Sequence, residues 1–113
     1  MKYMLMLFEP DTDWTAVAPE EAEAALAEHG VFCAWMRERG IPYSGEPLRE
    51  SATATTLRRV GAELVVTDGP FAELKENLGG FYIIEVKDLD EAIEVARHCP
   101  TGTATEIRPI WEV

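Results

Sequence analysis

Apolar positions along the chain cluster in short blocks, and the spacing within each block predicts its element. Residues 2–8, KYMLMLF, are apolar at almost every position. Read as a strand, Tyr3, Leu5 and Leu7 face one way and Met4, Met6 and Phe8 the other, so both faces need cover. Residues 19–39 read as the main helix, with Ala22, Ala25, Leu26, Cys33 and Met36 on one stripe. Pro19 suits its first turn, Glu20, Glu21 and Glu23 sit near the positive end of its dipole, and Gly40 with Pro42 ends it. Residues 53–59 and 63–67 read as two strands around Gly61. Residues 80–87, GFYIIEVK, form the clearest strand, again apolar on both faces. Residues 89–98 read as a second helix with a stripe of Leu89, Ala92, Ile93 and Ala96, Asp88 as N-cap and Pro100 beyond its end. A last strand covers 104–111, where Pro109 lacks a ladder donor and favours an edge or a strand end.

That order predicts an α+β fold: a ferredoxin-like sandwich in which an antiparallel sheet with an additional strand carries two helices on one face. The whole chain, 1–113, reads as a single domain. Two helices cover one face of a sheet, yet the strands at 2–8 and 80–87 are apolar on both. A homodimer that covers the second face is therefore expected. The alternative is that residues 9–18 or the tail fold over it.

Charge narrows the partners. The net charge is −11, from 21 acidic against 10 basic residues. Such a chain repels phosphate backbones and anionic membranes, so neither nucleic acid nor membrane is an expected partner. Two cysteines and two histidines, without CxxC or HxxxH spacing, provide no disulfide framework and no structural zinc site, and no cofactor is expected. The apolar run at 2–8 stops at Glu9-Pro10-Asp11, too short for a signal or membrane-spanning segment, which points to a soluble cytoplasmic protein.

Candidate chemistry centres on His29. At ~100° per residue it falls within the first helix's apolar stripe, which turns an imidazole towards the sheet, where burial favours its neutral form. The plainer reading is a core histidine bonded to a backbone carbonyl. Asp68 ends a strand on the face of Leu64 and Val66. It either caps its Asp-Gly turn or supplies a carboxylate that orients a histidine or holds a substrate proton donor. Gly69 lets backbone approach a ligand, Pro70 fixes it, and Phe71 is an apolar wall or a plug. The stretch 68–80 is longer than sheet closure needs, and such loops often carry function. Within it, Glu73, Lys75 and Glu76 read as a solvated helical turn. Arg108 either pairs with a strand carboxylate or binds an anionic ligand. Cys33 reads as a small buried hydrophobe, and His98 as a solvated residue near a helix end.

The run VTDGPFAELKENLGGFYIIEVKDLDEAIEVA, followed by EIRPI, resembles the DGPF branch of the YCII-related family. KYMLMLF, the helix ending in RERG, and GEPL at 45–48 extend the resemblance over nearly the whole chain. It implies a dimeric α/β barrel of ferredoxin-like subunits, in a bacterial protein. It also implies a candidate acid–base pair, onto which His29, eleven residues before Gly40, and Asp68 map. Many DGPF-branch relatives carry an aromatic residue where this chain has His29. Two functions follow as expectations. One is a small-molecule enzyme in which His29 transfers protons and Asp68 orients it, with Gly69, Phe71 and Arg108 against the substrate. The other is a ligand-sensing or protein-binding module tied to extracytoplasmic-function sigma-factor regulation, with a sigma-factor-linked protein as partner.

Overall fold

The computed structural model describes residues 1–113. Strand β1 (Lys2–Pro10) leads through turns at 11–18 into helix α1 (Pro19–Glu38), and β2 (Tyr43–Pro47) follows. After a 3₁₀ turn at Ser51–Thr53 come β3 (Thr55–Val60), β4 (Glu63–Asp68), β5 (Glu76–Glu85), α2 (Leu89–His98) and β6 (Ala104–Pro109). The main sheet has the order β2-β5-β1-β6, antiparallel throughout, which is the ferredoxin-like arrangement. Strands β3 and β4 pair only with each other, as a two-stranded ribbon inserted between β2 and β5.

The two-faced strands behave as the sequence predicts. Tyr3, Leu5 and Leu7 of β1 and Tyr82 and Ile84 of β5 are buried with Phe32 and Met36 of α1 and Ala92 and Val95 of α2. Met4, Met6 and Phe8 lie on the other face, and Phe81 and Ile83 of β5 join them there through the register Met6↔Phe81 and Met4↔Ile83. Neither helix covers that face. In the turns at 11–18, Asp11 is tied to Ser51 through that residue's backbone N–H and hydroxyl.

Several boundaries differ from the sequence reading. The inner stripe of α1 runs Ala22, Ala25, His29, Phe32 and Met36, and Leu26 is 63% exposed on its flank. Phe32, one turn beyond His29, takes the place in the core that Leu26 was expected to fill. On α2, Leu89 is exposed, and Val95 carries the packing with Ala92. Asp88 does cap α2, accepting a hydrogen bond from the Glu91 backbone N–H at 2.9 Å. The last strand stops at Pro109.

Strand β2 is absent from the sequence reading because Pro42, Gly45 and Pro47 mask it. Its glycine has a packing reason. Gly45 lies opposite Tyr82, and a Cβ there would come within 2.6 Å of the Tyr82 ring and 2.5 Å of the Phe81 carbonyl oxygen. The long stretch after Asp68 also resolves. Strand β5 begins at Glu76, so the loop proper is 69–75, and residues 73–76 form no helical turn. The loop does not join neighbouring strands at all: it returns the chain from the ribbon to the main sheet.

Candidate functional site

Helix α1 and strand β5 bring His29 against Tyr82. The imidazole Nδ1 lies 2.7 Å from the Tyr82 hydroxyl. The two rings stack at 5.8 Å between centroids, and Phe32 meets Tyr82 edge-on at 5.1 Å. Cys33, one turn beyond His29, places Sγ 3.8 Å from the same hydroxyl. The tyrosine is thus the hub, held by Phe32, admitted by Gly45, and bonded to both polar groups of the helix. Its aromatic ring gave no sign in the sequence of being more than core; only the register of Gly45 against position 82 shows that space is kept for it.

The electrostatics favour proton handling at His29. Burial lowers its pKa below the ordinary 6.5, and the Glu9 and Glu28 carboxylates offset part of that shift. The imidazole is therefore neutral at pH 7, as a general base requires. Burial raises the Tyr82 pKa well above the ordinary range, and the hydrogen bond to Cys33 adds to the rise, so its hydroxyl keeps its proton. When Nδ1–H donates to Tyr82, the tyrosine can direct its own hydroxyl hydrogen at Cys33 Sγ, and Nε2 is left with a free lone pair. When Tyr82 donates to Nδ1 instead, Nε2 carries the proton. His29 Nε2 makes no hydrogen bond within the chain.

Glu9 is a residue the sequence reading missed. It follows the β1 bulge at Leu7/Phe8, where β5 contributes the unpaired Gly79. A Cβ at Gly79 would come 2.1 Å from Glu9 Oε1, so the glycine leaves the space that this carboxylate occupies. Glu9 and Gly79 line a narrow cleft together with Asp11 and Asn77. Asp11 and Asn77 also line a wider cavity of about 340 Å³, together with Ser51, Gly69, Pro70 and Glu73. It is open to solvent, and only two of its eight lining residues are hydrophobic. Gly69 adopts φ +94°, accessible to glycine without strain, and its N–H bonds the Ala54 carbonyl at 2.8 Å.

The other sequence candidates are placed apart. Asp68 is exposed at the end of β4, on the ribbon, and makes no hydrogen bond to His29 within the chain. Phe71 is 75% exposed and sits beneath the Arg58 guanidinium. Arg108 pairs with Glu106 on the open face of the sheet, opposite the face that packs on His29. His98 is exposed at the end of α2, as expected, with one ring face stacked on Trp35 at 3.9 Å between centroids. No group of three or more His, Cys, Asp or Glu is arranged to hold a metal, and no helix is long and apolar enough to cross a membrane.

The lowered His29 pKa carries a stability consequence. Between pH 6.5 and the lower native value, the unfolded chain binds more protons at this position than the folded one. The contribution of a neutral His29 is complete above pH 6.5 and is lost as pH falls through that window. Urea unfolding of wild type and His29→Gln should show a drop on acidification below pH 6.5 that the variant lacks. Parallel profiles would show that the site does not perturb the imidazole.

The YCII-related domain family matches residues 1–113. A protein of Rhizobium meliloti (strain 1021), described as uncharacterized, is 33% identical over 114 residues, covering 97% of this chain and 92% of the relative. The match over residues 1–113 places this ferredoxin-like chain in the YCII-related domain family.

Proposed function

We propose that this protein is a small-molecule enzyme in which His29 acts as general base or acid, and that it works as a homodimer through the open face of its sheet. One observation carries the catalytic reading: a neutral imidazole fixed at 2.7 Å on a buried tyrosine hydroxyl, with its second nitrogen unpartnered. Such a group is oriented before substrate arrives, and its protonation state is suited to neutral pH. Tyr82 takes the orienting role that the sequence assigned to Asp68. Asp68 belongs to the proposal as a substrate contact, because it adjoins Gly69, which lines the cavity. Glu9, on the narrow cleft that shares Asp11 and Asn77 with that cavity, acts on the imidazole through its charge. The substrate class proposed is a small carbonyl compound with a C–H proton next to the carbonyl, which a neutral imidazole can remove.

Exchange of such protons in D₂O tests the reading. Among a panel of small carbonyl compounds, wild-type protein should accelerate solvent exchange of the carbon-bound protons next to the carbonyl in at least one. His29→Gln should lose about 10²–10⁴-fold of that rate, the usual contribution of a positioned acid or base. Equal rates for both proteins would remove His29 from the chemistry. A second reading, a ligand-sensing module acting on a sigma-factor-linked protein, is favoured by the cavity itself, which neither His29 nor Cys33 lines. It expects compounds to bind there equally well to wild type and His29→Gln, without proton exchange.

A further inference from the structure

The ribbon formed by β3 and β4 is a large exposed apolar element. Its register places Leu57 opposite Val66 and Arg59 opposite Leu64, so these side chains share one face. Leu57, Leu64 and Val66 are 60%, 55% and 64% exposed. Asp68, opposite Thr55, falls on the same face at the base of the ribbon. The reverse face is better covered: Thr56 bonds the Gly69 carbonyl oxygen, and Arg58 bonds the Phe71 carbonyl oxygen while lying over its ring. A lone two-stranded ribbon is marginal in water and needs something to pack on. Nothing in its own chain packs on the Leu57, Leu64 and Val66 stripe.

The whole chain shows how much cover is missing. Its accessible surface is 7845 Å², whereas a folded monomer of 12.6 kDa is expected to expose ~6,200 Å². The excess of ~1,600 Å² per chain corresponds, for two copies, to an interface of ~3,200 Å², within the span of obligate homodimers. The radius of gyration is 16.0 Å, against ~13 Å for a compact domain of this length. The excess is therefore an extended shape, to which the ribbon, paired with no strand of the main sheet, contributes. Charge fits a second copy. Arg59, on the exposed stripe, makes no salt bridge within the chain, and the chain that would receive it carries −11.

We infer that the β3–β4 ribbon is an arm that docks on a second copy of this chain through Leu57, Leu64 and Val66. By two-fold symmetry each copy gives and receives one arm. The arm holds the subunits together beyond what the open sheet face contributes, and it points Asp68 towards the partner. This inference rests on the homodimer proposed above, but fails separately from it.

Hydrogen exchange of the wild-type chain, followed over a dilution series beside light scattering, tests it. At micromolar concentration the mass should be twice 12.6 kDa, and the amides of 55–68 should lose protection together with the dimer on dilution. Leu57→Lys/Val66→Lys, whose positions are exposed in the single chain, should keep its circular dichroism and weaken association by about 100-fold or more, given the apolar area removed. A dimer whose arm exchanges freely, or a variant that dimerises as tightly as wild type, overturns the arm and leaves the sheet-face dimer standing. A monomer at micromolar concentration overturns both. Arm protection that persists in the monomer shows that the arm packs on its own chain and overturns the inference.

Discussion

Phe32→Ala should cost about 3–5 kcal/mol, the range for deleting a fully buried aromatic ring. Phe32 is 2% exposed and meets both Tyr82 and Trp35. The buried core comprises eleven residues, and Phe32 is the largest of its fully buried side chains. A small core has few neighbours that can close a void, so the upper half of the range is expected. Domains of this kind have ~5–15 kcal/mol to lose. Urea unfolding should therefore show a much lower midpoint with an unchanged slope. Because Phe32 holds Tyr82 edge-on, the same variant should loosen the His29 contact and move the imidazole pKa back towards 6.5, which NMR titration reads directly. A loss of less than about 1 kcal/mol would mean that the core refills, contrary to the close packing seen here.

Gly45→Ala should be the second large effect, about 1–3 kcal/mol from overpacking. The added methyl meets the Phe81 carbonyl oxygen at 2.5 Å and the Tyr82 ring at 2.6 Å. A side chain can swing aside, but a strand carbonyl in the ladder cannot. Combining Gly45→Ala with Tyr82→Leu separates the two clashes. If the ring is the main obstacle, the second change rescues part of the loss; if the carbonyl is, the penalties add. Either way Gly45→Ala should disturb His29, since displacement of Tyr82 breaks the 2.7 Å contact. A variant as stable as wild type, with an unshifted His29, would contradict this account.

How much was legible beforehand depended on whether local pattern or distant pairing set each feature. Helix α2 follows from its stripe, its Asp88 cap and Pro100, and it begins and ends where the sequence places it. The two-faced apolar strands follow from composition alone. Strand β2 was hidden because proline and glycine argue locally against a strand, whereas the hydrogen bonds of β5 and the bulk of Tyr82 decide the matter. The site divides in the same way. The helical spacing of His29 is local, so its inward direction could be read. Its partner could not, because Tyr82 lies 53 positions away and looks like any other core aromatic.

By itself, the sequence determined the fold class, the two helices, the apolar character of both sheet faces and the inward placement of His29. Each rests on periodicity or capping within a few residues, where backbone geometry dictates direction. Only the tertiary structure decided that 55–68 leaves the sheet as a ribbon, that Asp68 rides on it, and that Tyr82 meets the imidazole instead, with the Glu9 charge acting on it. The reason is strand pairing. Whether β4 joins β5 or only β3 depends on competition among long-range ladders, and alternation along a single strand is the same in either pairing.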